Sequence, residues 1–538
     1  MTAKGWRTRL QAGRFVDPEA PGYRWWLLVV TSLGALLASL TSGTLVIALP
    51  DILRDLHTDL FALMWIIVGY TLVVTVLVLN AGRLADRFGR ARTYTLGFAV
   101  FTVASVFCAI APDPLSLIGG RVAQGVGGAF MFANSSALVT DAFPRRELGR
   151  ALGINAMVVG AGLILGPILG GWLTGFGWRW VFWFNVPIGI VGVVAAWAIL
   201  VEQARPQRDA GIDWAGSALY LVSLLALMTS LAFGGIYGWG TWWVIGGFVL
   251  FIVVLPFFLW LETRVKSPLL DMSLFHDRLF TMGNLTGLLN GVARNGVLFL
   301  LVFYFQGVKG DDPVTAGILL APLAVGLLVL SPVSGALADR YGSRLLATAG
   351  MLITGVGLAG LITIDVDTPL WQLVVWQLVI GAGSGIFNSP NTSAVMGVVP
   401  PAKRGIGAGM RAMLTNTGFI ISIALAIGLM TTAMDPTVMV AVFAGTQAGS
   451  SGIDLGPFIT ALRIAFAAGV VASVVGAIIS AMRGGHRSWE EGDELAPNAS
   501  DPSQPNASDP SQPNASDPSR PSALPDHVGG TATANQEP

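Results

Sequence analysis

Gly-Arg-Leu-Ala-Asp-Arg-Phe-Gly-Arg-Ala-Arg, residues 82–92, is a short charged segment between two long apolar runs. Its core recurs at residues 335–344 as Gly-Ala-Leu-Ala-Asp-Arg-Tyr-Gly-Ser-Arg. A charged connection that occurs twice in a very hydrophobic chain predicts a duplicated membrane protein. Gly82 and Gly89 predict a tight turn between two helices, and Asp86 is expected to cap or complement a nearby helix N-terminus.

The composition indicates the class of fold. The chain has 538 residues, of which 53% are hydrophobic and only 12% are charged, whereas about 25% of the residues in a soluble domain are charged. An apolar run of about 20 residues spans a bilayer as a helix. Only helices or closed barrels satisfy their backbone polar groups in lipid, and these runs are too long for barrel strands. The sequence therefore predicts an all-α membrane protein.

Long apolar runs, separated by short segments that contain charged residues, predict fourteen membrane spans. Most of the 31 Lys and Arg residues fall in tails and loops on one side of these spans, and only Arg54, Arg179 and Lys309 fall in loops on the other. By the positive-inside rule, this bias predicts that both termini are cytoplasmic. The predicted spans are about residues 26–50, 61–81, 93–112, 115–139, 151–174, 178–201, 214–234, 241–262, 279–306, 315–336, 345–364, 370–395, 406–433 and 458–482.

This order of spans predicts five regions. The seventh and eighth spans, in the middle of the sequence, are expected to pack at the periphery of the fold. The alternative is that they form one helical hairpin lying in the membrane interface. The tail contains an eight-residue repeat, Pro-Asn-Ala-Ser-Asp-Pro-Ser-Gln, and is predicted to be disordered, with a protein-binding role as the alternative. The regions are a basic cytoplasmic N-terminus (1–25), a six-helix bundle (26–201), a linker with two extra helices (202–262), a second six-helix bundle (263–482) and a cytoplasmic tail (483–538).

The fourth and fifth spans carry unusual residues. Arg121 lies inside the fourth span, where a charge is costly and faces a cavity or a partner. Its alternative role is to snorkel toward the interface or to tie helices together. In the fifth span Gly162, Gly166 and Gly170 recur every four residues and make a stripe for close helix packing, and Pro167 is expected to kink the helix.

These segments together resemble the signature motifs of the major facilitator superfamily of transporters, namely the repeated loop, residues 121–128 and residues 160–171. Segments near the sixth, seventh and ninth spans resemble its fourteen-helix drug:proton antiporter branch. They read Trp-Arg-Trp at 178–180, Asp-Trp-Ala-Gly at 213–216 and Ser-Pro-Leu-Leu at 267–270. The resemblance covers roughly residues 25–480 and implies two pseudo-symmetric six-helix bundles around a midplane cavity, with two extra central helices.

The resemblance also implies roles for individual residues. The loop acts in the superfamily as a conformational latch, and the arginine of the fourth-helix motif is linked there to proton coupling. The fifth-helix motif would seal one side of the pathway against its counterpart in the other half. The latch residues would be Gly82, Asp86, Arg87, Gly89, Arg90, Asp339 and Arg340; the coupling candidates would be Arg121 and Gln124; and the antiporter helix would use Gly162, Gly166, Pro167 and Gly170.

One departure concerns proton coupling. The branch usually carries an acid in its first helix, and Thr41 stands in that place. No predicted span holds an Asp or Glu well inside it, and a buried carboxylate is the usual titrating group. Edge carboxylates such as Asp86 or Asp141 are the remaining candidates.

Polar residues inside other spans are candidates for the cavity. Asn290 and Arg294 are four residues apart and share a helix face. A cavity with arginine and amides but no acids favours an anionic or neutral amphipathic substrate. Structural hydrogen bonding is the alternative explanation for the amides. The cavity candidates are Thr41, Asn134, Asn290, Arg294, Asn388 and Asn416.

The sequence thus predicts a secondary active exporter of amphipathic small molecules, in the inner membrane of a bacterium, that works by alternating access and uses protons. The alternatives are an exporter of an anionic or neutral endogenous metabolite or lipid without standard proton coupling, a solute importer, and a non-transporting sensor or scaffold. The sequence has no Gly-rich phosphate loop of an ATP-driven pump and no catalytic triad. We expect no enzymatic activity, cofactor, metal or nucleic-acid partner; the partners are substrate, protons and lipid, and the chain is expected to be a monomer.

Overall fold

Aspartate side chains start many of the helices in this computed structural model. Asp59, Asp113, Asp213 and Asp277 each accept a hydrogen bond, at 2.7–2.9 Å, from a backbone N–H in the first turn of the helix that follows. Such caps satisfy N–H groups that have no partner within the helix. These aspartates, at the edges of the apolar segments, therefore act as N-terminal helix caps.

The structure describes residues 22–202, 211, 213–265, 268–400, 403–434, 442–443 and 454–483. Most of the predicted N-terminal segment and all but Arg483 of the predicted tail lie outside these residues. The described residues belong to one compact unit and contain helices but no strand. The helices are α1 (Tyr23–Asp55), α2 (Leu60–Phe88), α3 (Arg90–Ala109), α4 (Pro114–Ala142), α5 (Arg145–Thr174), α6 (Trp180–Ile199, with a break at Phe184), α7 (Trp214–Tyr237), α8 (Trp242–Glu262), α9 (Arg278–Phe303), α10 (Pro313–Tyr341), α11 (Ser343–Leu361), α12 (Leu370–Gly397), α13 (Arg404–Ala433) and α14 (Gly456–Met482).

Thirteen helices in the described residues are long and apolar enough to cross a membrane. The helix α4, which coincides with the fourth predicted span, is not among them although it has 29 residues. Its interior face carries Arg121, Gln124 and Asn134, each at most 1% exposed. Because these three polar groups lie on the buried face of α4, they lower its hydropathy without facing lipid. The chain is a multi-pass membrane protein.

Helix packing follows two six-helix groups. In the first, α4 packs against α2 and α3, α1 packs against α5, and α3 packs against α6. In the second, α12 packs against α10 and α11, while α9 packs against α13 and α14. The two groups meet along α5 and α10 and along α2 and α13. Short 3₁₀ and π segments, Met272–His276 and Tyr304–Val308, flank α9.

The two extra helices differ from the expectation that both lie at the periphery. Only 11% of the most apolar window of α8 is buried, and its main neighbour is α7. In contrast, α7 packs against α13 of the second group and also contacts α2 of the first. Tyr220 of α7 exchanges a hydrogen bond with Thr417 of α13 at 2.5 Å. Peripheral packing therefore holds for α8 and is wrong for α7.

Candidate functional site

The first charged repeat is almost entirely helical. α2 continues through Phe88, and Gly89 alone separates it from α3, with a φ of 108° that favours glycine. Gly82 lies inside α2, with open space around the position of a Cβ. The prediction that Gly82 forms part of the turn is wrong, because a single glycine in the left-handed region is enough to redirect the chain.

An arginine joins two carboxylates at this end of the first bundle. The Nε of Arg90 donates to Asp86 Oδ1 at 2.9 Å, and its Nη1 donates to both oxygens of Asp141 at 2.8–2.9 Å. The three side chains are between 23% and 38% exposed. This network links α2, α3 and α4 at the edge of the bundle, where water can compete for each bond. Arg87, in contrast, lies over the ring of Phe88.

A residue that sequence reasoning missed caps α3. Glu202 follows α6, is 5% exposed, and accepts a hydrogen bond from the backbone N–H of Arg92 at 3.0 Å. Burial raises the pKa of Glu202, and the backbone N–H groups of Arg92, Arg90 and Ala91 oppose that shift. Of the two roles expected for Asp86, capping is wrong, because Glu202 caps α3. Asp86 instead pairs with Arg90, the first residue of that helix. Only the position of Glu202 just after an apolar span hinted at this role.

The second repeat keeps the turn, and its described side chains make no ion pair. Gly342, with a φ of 80°, again separates two helices. Asp339 lies near the end of α10, and its side chain is outside what the structure describes. Arg340 lies over the ring of Tyr341. The buried group here is Arg483, which donates to the carbonyl of Ser343 and to Asn391 Oδ1 at 2.9 Å.

Arg121 is satisfied within the first bundle. Its Nε donates to the carbonyl of Ile66 at 2.9 Å, and its Nη1 donates to Gln124 Oε1 at 2.7 Å. Gln124 in turn donates to Ser105 Oγ at 2.7 Å, and the guanidinium lies 4.7 Å from the ring centre of Tyr70. The cluster joins α2, α3 and α4. In this conformation it is buried, so the geometry matches the tying role that was the alternative.

The glycine stripe of α5 faces its own bundle. Cβ atoms on Gly162, Gly166 and Gly170 would lie 2.7 Å from Ser39 Oγ, 3.0 Å from Gly43 Cα and 2.6 Å from the carbonyl of Thr44, all on α1. The implication that this stripe packs against the other half is wrong.

A neighbouring face of α5 makes the contact between the bundles. A Cβ on Gly171 would collide with the carbonyl of Pro313, and one on Gly317 would collide with the carbonyl of Pro167, so the backbones of α5 and α10 touch. Elsewhere between the bundles, Gln306 Nε2 donates to the carbonyl of Ile47 at 3.0 Å. These contacts lie near the helix ends opposite the charged repeats.

The cavity candidates divide into two groups. Thr41 is 1% exposed and donates to the carbonyl of Leu37 at 2.8 Å and to Asn185 Oδ1 at 3.3 Å, so it ties α1 to α6. Asn134 donates within α4, to the carbonyl of Phe130, and Asn290 donates to the sulfur of Met351. These three side chains are buried inside the bundles in this conformation.

The second group is partly exposed. Arg294, Asn388 and Asn416, together with Arg411, are only half-buried. Arg294 donates to the adjacent Asn295 Oδ1 at 3.1 Å, and its Nε makes no hydrogen bond within the described part of the chain. Arg294 therefore keeps a hydrogen-bond donor that no described residue uses.

Two helical bundles that touch through bare backbone, with polar groups held inside apolar helices, make up this multi-pass membrane protein. Among the described residues there is no group of three potential metal ligands.

A family model described as Major Facilitator Superfamily matches residues 31–263 and 198–423, and the chain belongs to this superfamily. Relatives are about a third identical to it over the aligned residues. The riboflavin transporter RibZ of Clostridioides difficile is 32% identical over 405 residues, which cover 74% of this chain and 87% of that protein. The tetracenomycin C resistance and export protein of Streptomyces glaucescens is 31% identical, covering 74% of each. The multidrug transporter protein MdtP of Bacillus subtilis is 32% identical, covering 67% of each.

Solved structures agree on the fold. A bacterial homologue of the human lysosomal transporter Spinster, in an inward-facing and occupied conformation, has a TM-score of 0.64 at 16% identity, covering 86% of this chain and 97% of that one. The nucleoside transporter NupG has a TM-score of 0.58 at 14% identity, covering 84% and 98%.

Proposed function

We propose that this protein is a proton-coupled exporter of amphipathic small molecules in the inner membrane of a bacterium, of the fourteen-helix antiporter branch. The observation that carries the proposal is the agreement between the family and the names of its relatives, which include an antibiotic export protein and a multidrug transporter. The molecule acts as a monomer by alternating access, in which the two bundles close around substrate from one side at a time.

The Arg90 network is the conformational latch in this proposal. Its bonds to Asp86 and Asp141 are made at one end of the first bundle, while α5 and α10 touch near the opposite end. The excess of Lys and Arg on the latch side supports placing that end in the cytoplasm. Breaking exposed charge pairs requires little free energy, so the latch can open and close during transport.

A second candidate is transport of an anionic or neutral metabolite without standard proton coupling. Arg294 supports it, because this half-buried guanidinium has a free donor and the described part of the chain places no carboxylate against it. The similarity to a riboflavin transporter, whose substrate class is not that of a lipophilic cation, also supports it.

Transport in proteoliposomes distinguishes the two. Purified protein is reconstituted, a pH gradient is imposed, and fluorescent cationic, neutral and anionic amphiphiles are compared. Under the first proposal, the pH gradient drives transport of the probes. Under the second, the anionic or neutral probe is transported at a rate that does not depend on the gradient. Arg294→Gln should selectively reduce transport of the anionic probe. Arg264→Gln, which changes an arginine just after α8, is the matched control. Gradient-driven transport of the cation alone would contradict the second candidate, and no transport of any probe would contradict both.

A further inference from the structure

Two acidic side chains are buried together where the extra helices meet the first bundle. Asp213 caps α7, and its Oδ1 accepts a hydrogen bond from the N–H of Gly216 at 2.7 Å. Glu262 ends α8, and its Oε2 accepts one from the N–H of Leu270 at 2.7 Å. Asp213 is 5% exposed and Glu262 is 2% exposed. Two carboxyl groups are thus withdrawn from water at one place.

Each carboxyl group keeps one oxygen without a hydrogen-bond partner in the described residues, Oδ2 of Asp213 and Oε1 of Glu262. Both oxygens face Gly216: a Cβ there would lie 2.6 Å from Asp213 Oδ2 and even closer to Glu262 Oε1. Because both oxygens contact the same Cβ position, the two carboxyl groups are close neighbours. Two neighbouring buried carboxylates repel each other, so ionising both is unfavourable. One proton between them would give both oxygens a hydrogen-bond partner.

Arg83 is the cation that faces this pair. It lies on α2, within the first charged repeat, and interacts electrostatically with both carboxyl groups. Its guanidinium also donates to the carbonyl of Pro268, and at 3.5 Å to that of Gly211. Among the described residues this is one cation opposite two acids, which leaves a buried negative charge uncompensated unless one acid carries a proton.

Asn80 completes the site from the same helix. Its Nδ2 donates to Ser217 Oγ at 2.7 Å and to the carbonyl of Asp213 at 3.3 Å, which fixes α7 against α2. Its Oδ1 is buried and makes no hydrogen bond within the described part of the chain. The site therefore joins the first bundle, both extra helices and the segment that leads into the second bundle.

We propose that Asp213 and Glu262 share one proton and form a proton-binding site of this transporter. The inference rests on the proposed proton-coupled function. It supplies the titrating group that the apolar spans lack, in place of an acid at Thr41. The chemistry is a simple protonation: one carboxylate oxygen gains a proton from water and later returns it to water. Loss of the proton leaves a negative charge that attracts Arg83, and Asp86 of the latch lies one helical turn further along α2.

The shared proton can be detected without transport. Infrared difference spectra of the purified full-length protein, titrated between acidic and alkaline pH, should show the carbonyl stretch of a protonated carboxyl group that persists at neutral pH. Glu262→Gln should remove this band, and Asp213→Asn should shift or remove it. Asp271→Asn, a nearby carboxyl group that pairs with Lys403 at 2.7 Å, should leave it unchanged. A spectrum that is the same in all four proteins overturns the proposal.

A transport assay then tests coupling. Proteoliposomes are compared under a pH gradient and in substrate counterflow without a gradient. Glu262→Gln and Asp213→Asn should reduce the gradient-driven rate roughly tenfold or more, while counterflow persists. If Glu262→Gln loses the band but keeps full gradient stimulation, the pair is structural and the proposal fails. If the wild-type protein transports no probe, the proposed function fails, and the spectra still decide the proton site.

Discussion

The two copies of the charged repeat share a backbone and differ in charge. In both, one glycine in the left-handed region ends one helix and starts the next, Gly89 with a φ of 108° and Gly342 with a φ of 80°. In the first copy Arg90 follows the glycine and binds two carboxylates. In the second copy Ser343 stands at that place, and only its backbone carbonyl is used, as an acceptor for Arg483.

The residues that follow the last helix of each bundle also differ in charge. Glu202 follows the last helix of the first bundle and lies at the N-terminus of α3, where a negative charge is favoured. Arg483 follows the last helix of the second bundle and binds a carbonyl and an amide oxygen. Duplication has thus preserved the turn while the sign of the buried charge has reversed. Among the described side chains, the exposed network of ion pairs belongs to the first copy.

The largest difference between the halves is expected for their intramembrane arginines. Arg121→Leu would leave the carbonyl of Ile66 and Gln124 without their donor, which should cost about 3 kcal/mol of stability. Arg294→Leu loses one bond to its neighbour Asn295 and should cost less than about 1 kcal/mol. Thermal unfolding in detergent, followed by tryptophan fluorescence, measures both. Equal losses would contradict the assignment of Arg121 to packing and Arg294 to the cavity.

Two glycines of α5 separate packing within a bundle from contact between bundles. Gly166→Leu would press on Gly43 of the same bundle, and overpacking of this kind costs about 1–3 kcal/mol. Gly171→Leu would press on Pro313 of the other bundle and should change the distance between α5 and α10 more than stability. Thermal unfolding and spin-label distances between these helices give the two readouts. A stable, fully active Gly166→Leu protein would show that the stripe is not tightly packed.

The turn glycines should differ by a smaller amount. Gly89→Ala places a residue with positive φ at a cost of about 1–2 kcal/mol, and its methyl group would also meet the carboxyl group of Glu202. Gly342→Ala carries the backbone strain alone, since no atom lies within 4 Å of its Cβ position. Melting temperatures should therefore fall further for Gly89→Ala. The reverse order would mean that Glu202 moves aside.

The proposed latch is expected to matter for transport more than for stability. Asp86→Asn removes an ion pair whose carboxylate is 38% exposed, so the loss of stability should stay below about 1 kcal/mol. Transport should fall much more than the amount of protein in the membrane. Asp339→Asn should be milder, because Ser343 replaces the arginine partner in the second copy. Normal transport by Asp86→Asn would remove the latch role.

The smallest effect concerns pH and Glu202. Burial raises its pKa above the ordinary value of 4.5, so the folded protein holds this proton more tightly than the unfolded chain. Its contribution to stability is therefore complete at acidic pH and is lost as pH rises through the folded pKa. The stability of the unmodified protein minus that of Glu202→Gln should therefore be larger at pH 5 than at pH 8. Melting temperatures of both proteins across this range test the sign, and the opposite slope would mean that the backbone N–H groups outweigh burial.

Several features of the molecule followed from local sequence. Long apolar runs predicted helices because a backbone in lipid must satisfy its own hydrogen bonds. The repeat predicted the duplication, and Gly89 predicted the turn because few other residues adopt its φ. Membership of the Major Facilitator Superfamily was predicted from the repeated loop together with two helix motifs, and the match of the family model confirmed it.

Only the tertiary structure decided what each polar side chain touches. The sequence placed Arg121, Thr41 and Arg294 inside predicted spans, but two of them are bound inside the first bundle and the third keeps a free donor. The stripe of Gly162, Gly166 and Gly170 signalled a close contact without identifying its partner. Asp213 and Glu262 are 49 positions apart, and nothing local indicates that their carboxyl groups meet. The physical reason is that hydropathy and spacing act along the chain, whereas pairing, burial and charge compensation depend on neighbours that folding alone brings together.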